Sequence, residues 1–381
     1  MLTIILILLT IIYFITGMLF FIGLSRKKHY ESNEIPFVSV VIAVRNEEEH
    51  IKNIMSDLLH QNYPKNRFEV IFVDDNSEDN TKKIIKDVCE NESNIKLIEL
   101  KYKNENLSTK KLALSEGIKN SYGEIILTTD ADCRLKSLWI ESTVKNFTPE
   151  CGMVVGFSQI NEEDKEDSLF IGLQALDFLS MMCAAAGATS LGYPLASSGQ
   201  NLAYRKEAFQ KVDGFSKIKH RISGDDTLLL QIIKKHTDFK INFSFYKDSF
   251  VSTHPLKSLK EFLNQRTRWA SNALYQRKMD ILFFIYLIVL YLTNVGLIIF
   301  SLISVFYRTF GPIPIYCLLS KWIIDFIVLL KGTKIFNRPD LLKYFFIWEI
   351  FQPFYFAFVG IKGSIGKFTW KGRKYKKEKI I

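Results

Sequence analysis

The sequence has no C-x-x-C pair and no histidine–cysteine cluster at metal-ligand spacing; its 5 cysteines (Cys89, Cys133, Cys151, Cys183 and Cys317) are scattered. Neither a zinc site nor a disulfide framework is indicated, and a reducing compartment is compatible. No G-x-G-x-x-G follows a strand-like run and no G-x-x-x-x-G-K-[ST] occurs, so dinucleotide oxidoreductases and P-loop nucleotidases lose their main support. Histidine is sparse, at 6 residues. Of these only His254, before Pro255, falls near a candidate site, and a surface position is the simpler reading. The excess of 50 Lys and Arg over 40 Asp and Glu gives a net charge of +10. The excess gathers beside hydrophobic segments, at Arg26-Lys27-Lys28 and from Lys367 to Lys379. That pattern marks cytoplasmic membrane flanks and not a nucleic-acid stripe, so no nucleic-acid partner is expected.

What is present in quantity is apolar length: 48% of the 381 residues are hydrophobic, and they are unevenly placed. Leu2 to Leu24 carries no charge and has no Lys or Arg ahead of it, which reads as an uncleaved anchor. Arg26, Lys27 and Lys28 then put the amino terminus outside and the next domain in the cytoplasm. Ile281 to Phe306, between Asp280 and Arg308, reads as a second span. A third, Ile313 to Leu330, holds Lys321 and Asp325 four residues apart, on one helix face where they can pair in lipid. A fourth stretch, Leu341 to Gly360, contains Lys343, Glu349, Gln352 and Pro353. A full crossing there would leave the basic tail outside, so a re-entrant or interfacial segment and a cytoplasmic carboxyl terminus are expected. The whole reads as a multi-pass protein of a bacterial-type inner or cell membrane. Leu169 to Leu195, nearly apolar but interrupted by Gln174 and Asp177, reads as a helix packed on the soluble domain or dipping into the membrane surface, where it can help form a lipid groove.

The middle of the chain has the pattern of an α/β domain. Phe37 to Val44 and Phe68 to Asp74 are Val- and Ile-rich runs joined by a crossover-length segment. Within that segment Ile51, Ile54, Met55, Leu58 and Leu59 line one helix face, ending near Asn62-Tyr63-Pro64. The alternation continues with a helix over 79–90, a strand over 95–100, a helix over 112–119 and a strand over 124–129. A mostly parallel sheet follows, and such sheets bind ligands beyond the carboxyl ends of their strands.

Three of those ends carry polar clusters: Arg45-Asn46-Glu47, Asp74-Asp75-Asn76-Ser77 and Asp130-Ala131-Asp132. A nucleotide here would be held through carboxylates and metal. In an extended segment Asp130 and Asp132 would point the same way and address one hard cation, Mg2+ or Mn2+, bridging to a pyrophosphate. Taken alone, an Asp-x-Asp is more often a solvated turn or a helix cap. Ser77 and Asp79 read as helix-capping residues.

Taken in order, the first strand with Asn46-Glu47, V-D-D-N-S-E-D-N-T at Val73 to Thr81 and T-D-A-D-C at Thr129 to Cys133 resemble family 2 glycosyltransferases of the GT-A fold. Ser198-Gly199-Gln200-Asn201-Leu202-Ala203-Tyr204-Arg205 is similar to the family's acceptor-side segment. Gly224-Asp225-Asp226 resembles its acidic catalytic motif, with Asp225 in place of the usual Glu, and Gln265-Arg266-Thr267-Arg268-Trp269 resembles its Q-x-x-R-W motif. The resemblance runs from about Pro36 to Trp269. It implies that Asn46, Glu47, Asp74 and Asp75 face the nucleotide, that Lys110 or Lys111 lies near the sugar-nucleotide, and that Asp130 and Asp132 hold metal and diphosphate. Asp226 is then the general base, with Asp225 beside it, in an inverting transfer that needs one base and no nucleophile. Gln265, Arg266, Arg268 and Trp269, with Gly199, Gln200 and Asn201, are expected on the diphosphate and acceptor side. A basic interfacial helix is the plainer reading of Leu259 to Arg277, and it suffices for Arg277 and Lys278. Thr369-Trp370-Lys371-Gly372-Arg373-Lys374-Tyr375 resembles the tail of ceramide glucosyltransferase-like relatives; the alternative is a polybasic tail on anionic lipid.

The expected organisation is an anchor over 1–25, a cytoplasmic GT-A domain over 36–257, an interfacial helix over 258–280, a membrane region over 281–362 and a basic tail over 363–381. The expected activity moves a sugar from a nucleotide-sugar, with uridine diphosphate the family's usual carrier, to a membrane lipid. A processive polysaccharide synthase extending a glycan and a catalytically silent membrane scaffold are the competing readings.

Overall fold

The computed structural model describes residues 2–100, 109–160, 168–307, 311–365, 368–370 and 373–375. It comprises two compact units, one of Met1–Arg26, Lys165–Ala188 and Pro255–Ile381 and the other of Lys27–Asp164 and Thr189–His254. The helices are α1 (Leu2–Ser25), α2 (Ile51–Leu59), α3 (Thr81–Cys89), α4 (Thr109–Lys119), α5 (Trp139–Val144), α6 (Leu169–Ser190), α7 (Lys206–Lys211), α8 (Thr227–His236), α9 (Leu259–Ala270), α10 (Gln276–Met279), α11 (Ile281–Tyr307), α12 (Ile313–Ile335) and α13 (Phe345–Ile365). The strands are β1 (Val38–Val44), β2 (Phe68–Asp74), β3 (Ile95–Glu99), β4 (Ile125–Thr128), β5 (Cys133–Arg134), β6 (Cys151–Val155), β7 (Ser158–Ile160), β8 (Leu202–Arg205), β9 (Lys240–Phe243), β10 (Val251–Thr253), β11 (Phe368–Trp370) and β12 (Arg373–Tyr375).

In the second unit a seven-stranded sheet runs β3-β2-β1-β4-β8-β6-β9, with a small sheet β5-β10-β7 beside it. β1 is parallel to β2 and β4, and β2 to β3, as the alternating pattern predicts. β8 is the reversal, antiparallel to both β4 and β6. Nearly every residue of β1 and β2 is buried, the mark of strands covered on both faces. α2 buries Ile51, Ile54, Met55 and Leu58, the face its periodicity gave. α4 lies so close to the sheet that a Cβ on Gly117 would come within 2.4 Å of the Val41 side chain. Because β8 runs against β4, with Leu202 opposite Thr128, the segment ahead of β8 arrives at the edge where β4 ends.

The first unit holds five helices long and apolar enough to cross a membrane, by length and composition: Thr3–Ser25, Leu169–Ser190, Ile281–Ser304, Ile313–Ile335 and Pro339–Ile365. α6 joins this unit instead of packing into the sheet domain's core. Its backbone meets that of α1, where a Cβ on Gly187 would lie 2.5 Å from the Phe20 carbonyl oxygen. Small residues allow such close helix approach. α6 cannot make a single crossing, however: β4 precedes it, β8 follows it and the two are paired, so one crossing would part paired strands to opposite faces.

The expected pairing of Lys321 with Asp325 is present at 2.7 Å, inside a larger network. The Lys321 ammonium also donates to Glu349 at 2.6 Å and Gln352 at 2.6 Å, so its three protons meet three acceptors. Tyr13 of α1 adds a donation to Asp325 at 2.8 Å. Glu349 and Gln352 of the fourth stretch are thus partners for a buried lysine. α13 then meets α11 where Gly360 lies on Tyr291, and α9 where Gly363 lies on Ala270. In the tail, β11 and β12 form an antiparallel ribbon, while Lys371, Gly372 and 376–381 lie outside the described residues.

Candidate active site

The carboxyl ends of β2, β1 and β4 lie side by side, so the three polar clusters meet at one sheet edge. The first two are latched together. The Asn46 N–H donates to Ser77 Oγ at 3.1 Å, the Glu47 N–H to Thr81 Oγ1 at 2.8 Å and the Glu48 N–H to Asp79 Oδ2 at 3.1 Å. Arg45 donates to the Asp75 carbonyl at 2.9 Å. Asn46 and Asn76 both take positive φ, 52° and 54°, a conformation asparagine tolerates better than most residues. Ser77 therefore does not cap α3: it spans to the β1 loop, while Asp79 accepts the Thr81 N–H at 3.0 Å as well as that of Glu48. Asp74 is buried and its carboxylate closes the turn by accepting the Ser77 N–H at 3.2 Å. Asp75 is buried beside it.

The third cluster differs from expectation in backbone. Ala131-Asp132 is a turn closed by the Cys133 N–H on the Asp130 carbonyl at 3.2 Å, so alternation along an extended segment does not orient its carboxylates. Behind it Arg134 donates to both Asp57 carboxylate oxygens, at 2.8 and 3.0 Å, which fixes the following strand on α2.

The first turn of α4 brings two lysines to this region. Lys110 bridges Asp130 at 2.7 Å and Asp225 at 3.2 Å. Burial alone would lower its ammonium, but Asp130 and then Asp225 outweigh that and hold it well above the ordinary lysine value. Lys111 lies apart, buried, donating to the carbonyls of Arg221 at 2.5 Å and Ser223 at 3.1 Å.

Asp226 caps α8, accepting the Thr227 N–H at 2.6 Å on one oxygen and the Gly199 N–H at 3.0 Å on the other. A Cβ on Gly199 would stand 3.3 Å from Asp225 and 3.6 Å from Asp226, so the glycine lets the acceptor-like segment lie against the pair. The two carboxyls are driven apart electrostatically. Burial first, and then the Asp225 charge, push Asp226 up to about 6. Burial also works against Asp225, yet Lys110 and then Lys111 hold it below the usual range. Carboxyls so separated take different roles, one a fixed charge and the other a proton acceptor near neutrality.

The remaining expected residues are divided. Asn201 is spent on structure: its amide donates to the carbonyls of Phe157 at 2.8 Å and Ser249 at 2.7 Å and accepts from the Trp139 indole at 3.1 Å. Among the described residues the buried side-chain oxygen of Gln200 meets no hydrogen-bond donor. Gln265, Arg266, Arg268 and Trp269 belong to α9 in the other unit. Arg266 is buried, ion-paired with Asp177 of α6 at 2.7 Å, hydrogen-bonded to Gln265 and stacked 4.2 Å from the Trp269 ring centre. His254 stacks on His50 at 4.6 Å. The latch residues Arg45 and Asp79, the Asp57 support and the loop-holding role of Lys111 were not legible as such in the sequence. The partners lie tens of residues apart and no motif links them.

A mostly parallel sheet with acidic strand ends, a lysine-bridged carboxylate cluster and a capped acidic pair defines an α/β domain of the GT-A kind. Residues 39–212, the larger part of the sheet domain, match the model of glycosyl transferase family 2. The chain is 27% identical over 260 residues to a beta-monoglucosyldiacylglycerol synthase of Trichormus variabilis, covering 67% of this chain and 53% of that protein. It is 27% identical over 213 residues to a poly-beta-1,6-N-acetyl-D-glucosamine synthase of Staphylococcus epidermidis, covering 53% of this chain and 49% of that one. The chain spans about half the length of these curated relatives. The fold is shared with a mannosyltransferase of Pyrobaculum calidifontis solved with GDP-Man and Mn2+, at a TM-score of 0.59 and 18% identity, over 95% of this chain and 99% of that one.

Proposed function

We propose that the chain is an inverting glycosyltransferase that moves a sugar from a nucleotide-sugar to an acceptor in the membrane, with Asp226 as general base. The observation that carries the reading is the split acidic pair at the sheet edge, Asp225 held low and Asp226 raised to about 6. A base with that value is ionised at neutral pH yet stronger than an ordinary aspartate. Asp226 takes the proton of the acceptor hydroxyl while the hydroxyl oxygen bonds to the anomeric carbon and the bond from that carbon to the phosphate oxygen breaks, releasing the nucleoside diphosphate. The two backbone N–H groups hold the carboxylate still while it does so. Glu47 and Asp75 are assigned to the nucleotide, with Asn46 and Asp74 shaping the loop that receives it, and Lys110 to the diphosphate.

Mg2+ or Mn2+ fits this edge. Asp130 and Asp132 offer hard oxygen donors, and Asp130 already draws an ammonium to 2.7 Å. Among the described residues no three His, Cys, Asp or Glu side chains gather as a metal cage, so a cation here would share its shell with donor phosphates, as Mg2+ commonly does. When bound, it would neutralise charge on the departing diphosphate. The relative solved with Mn2+ supports this choice.

The acceptor is proposed to be a lipid, on the strength of the diacylglycerol-glycosylating relative and of a membrane unit that carries the Gln265–Trp269 helix. The glucosamine-polymer synthase among the relatives favours the second reading, chain extension. We place the catalytic unit on the cytoplasmic side, supported by Arg26, Lys27 and Lys28 following α1. The uridine nucleotide is the donor to try first.

Two variants separate the assigned roles. Asp132→Ala is expected to abolish metal-dependent donor binding, read by calorimetry with the nucleoside diphosphate, whereas Asp226→Asn keeps donor binding and stops transfer. Equal loss of binding in both would overturn the assignment.

A further inference from the structure

Lys111 is a buried cation that the transfer step leaves unused. It is 2% exposed, and its ammonium donates to the main-chain carbonyls of Arg221 and Ser223. Burying an ammonium is costly unless its protons find acceptors, and an apolar side chain of similar length would fill the same space more cheaply. What the lysine holds is the stretch that delivers the acidic pair. Gly224 follows at φ 91°, a left-handed turn that side chains rarely adopt, and Asp225 and Asp226 come next. Downstream the pair is fixed by the start of α8 and by the Gly199 N–H. Upstream, Lys111 supplies a fastening at two carbonyls. Its charge also acts on Asp225: against burial, Lys110 and then Lys111 keep that carboxyl low.

We propose that Lys111 is a positioning residue of the transfer reaction, strapping the 221–223 backbone so that Asp225 and Asp226 keep their places, and that it takes no direct part in donor binding. The proposal rests on the reading of Asp226 as general base. Neighbouring lysines thereby divide the work, Lys110 facing the strand-edge carboxylates and Lys111 the loop behind them.

The test compares wild type, Lys110→Met, Lys111→Met and Lys111→Arg as full-length proteins in lipid vesicles. The readouts are kcat, Kd for the nucleoside diphosphate, and the pH dependence of kcat. Lys111→Met is expected to lower kcat about 10- to 100-fold, the scale of small misplacements of a reacting group, while Kd stays within about twofold. Removing a positive charge raises nearby carboxyl pKa values, so the acid limb of its kcat profile should move to higher pH. Simple loss of folded protein would lower the rate without moving that limb. Lys111→Arg keeps the charge and should show the wild-type limb with part of kcat restored. If Lys111→Met does not fold, Lys111→Arg decides: reduced kcat with wild-type Kd and limb supports the strap, and weakened donor binding or unchanged kcat overturns it. Donor binding in Lys111→Met weakened as far as in Lys110→Met, or a wild-type kcat and limb, would overturn it too. Failure of the underlying reading shows differently, since the wild-type protein would then transfer no sugar at all, and that overturns both.

Discussion

Asp226 and Asp225 are adjacent in sequence yet occupy different electrostatic situations, and the difference is measurable. If Asp226 is the base, kcat falls as pH drops through about 6, because the rising pKa means that protonation removes the base there. Replacing Asp225 with Asn deletes the neighbouring negative charge, so the acid limb should move to lower pH. A limb that stays put or rises in a pH–rate titration of Asp225→Asn would argue against this coupling. The acidic residues themselves were legible, because carboxylates recurring at strand ends are a local pattern. Their partners were not: Lys110 reaches Asp130 and Asp225 across 20 and 115 residues of chain, and Asn201 looks like a site residue until its three hydrogen bonds are seen. A motif records which residues are present, whereas the fold decides which of them are already occupied.

The α9 helix carries the Q-R-T-R-W run, and its second position is the clearest case of such occupation. Ser258 accepts the Glu261 N–H at 3.2 Å to start the helix, and Arg266 is then committed to Asp177 of α6. Both side chains are about 5% exposed or less, so removing one leaves a buried charge unpaired. Arg266→Met alone should destabilise the protein by about 3–5 kcal/mol, and adding Asp177→Leu should recover most of that, as read by thermal unfolding in detergent. A wild-type melting temperature together with weaker donor binding in Arg266→Met would instead assign the arginine to the diphosphate. Helix periods and membrane-length runs mark where α1, α2, α11 and α12 lie. For α6 they left two placements open, packing on the soluble domain or dipping into the membrane surface, because Gln174 and Asp177 read as interruptions. In the fold, Gln174 exchanges hydrogen bonds with Leu256 and Asp177 holds Arg266.

For the whole molecule, the pairing of β4 with β8 forbids a single crossing by α6, and the remaining question is which side the tail occupies. α13 brings Glu349 and Gln352 to Lys321 and ends against Ala270 of α9, which precedes α11. Pro339–Ile365 is long and apolar enough to cross, whereas the interfacial placement expected from its polar residues would put the tail on the cytoplasmic side. Membrane-impermeant maleimide should therefore label both Glu78→Cys and Tyr375→Cys in inverted vesicles and neither in intact cells; labelling of Tyr375→Cys alone from outside would mean that α13 crosses. Sugar transfer by this chain through Asp226 underlies the role assigned to every other site residue. Its most direct test is nucleoside diphosphate release by the full-length protein in lipid vesicles with Mn2+ or Mg2+, across nucleotide-sugar donors. Release should need both donor and membrane acceptor, and Asp226→Asn should lower it by about a hundredfold or more. No release with any donor, or equal release by the variant, would contradict it.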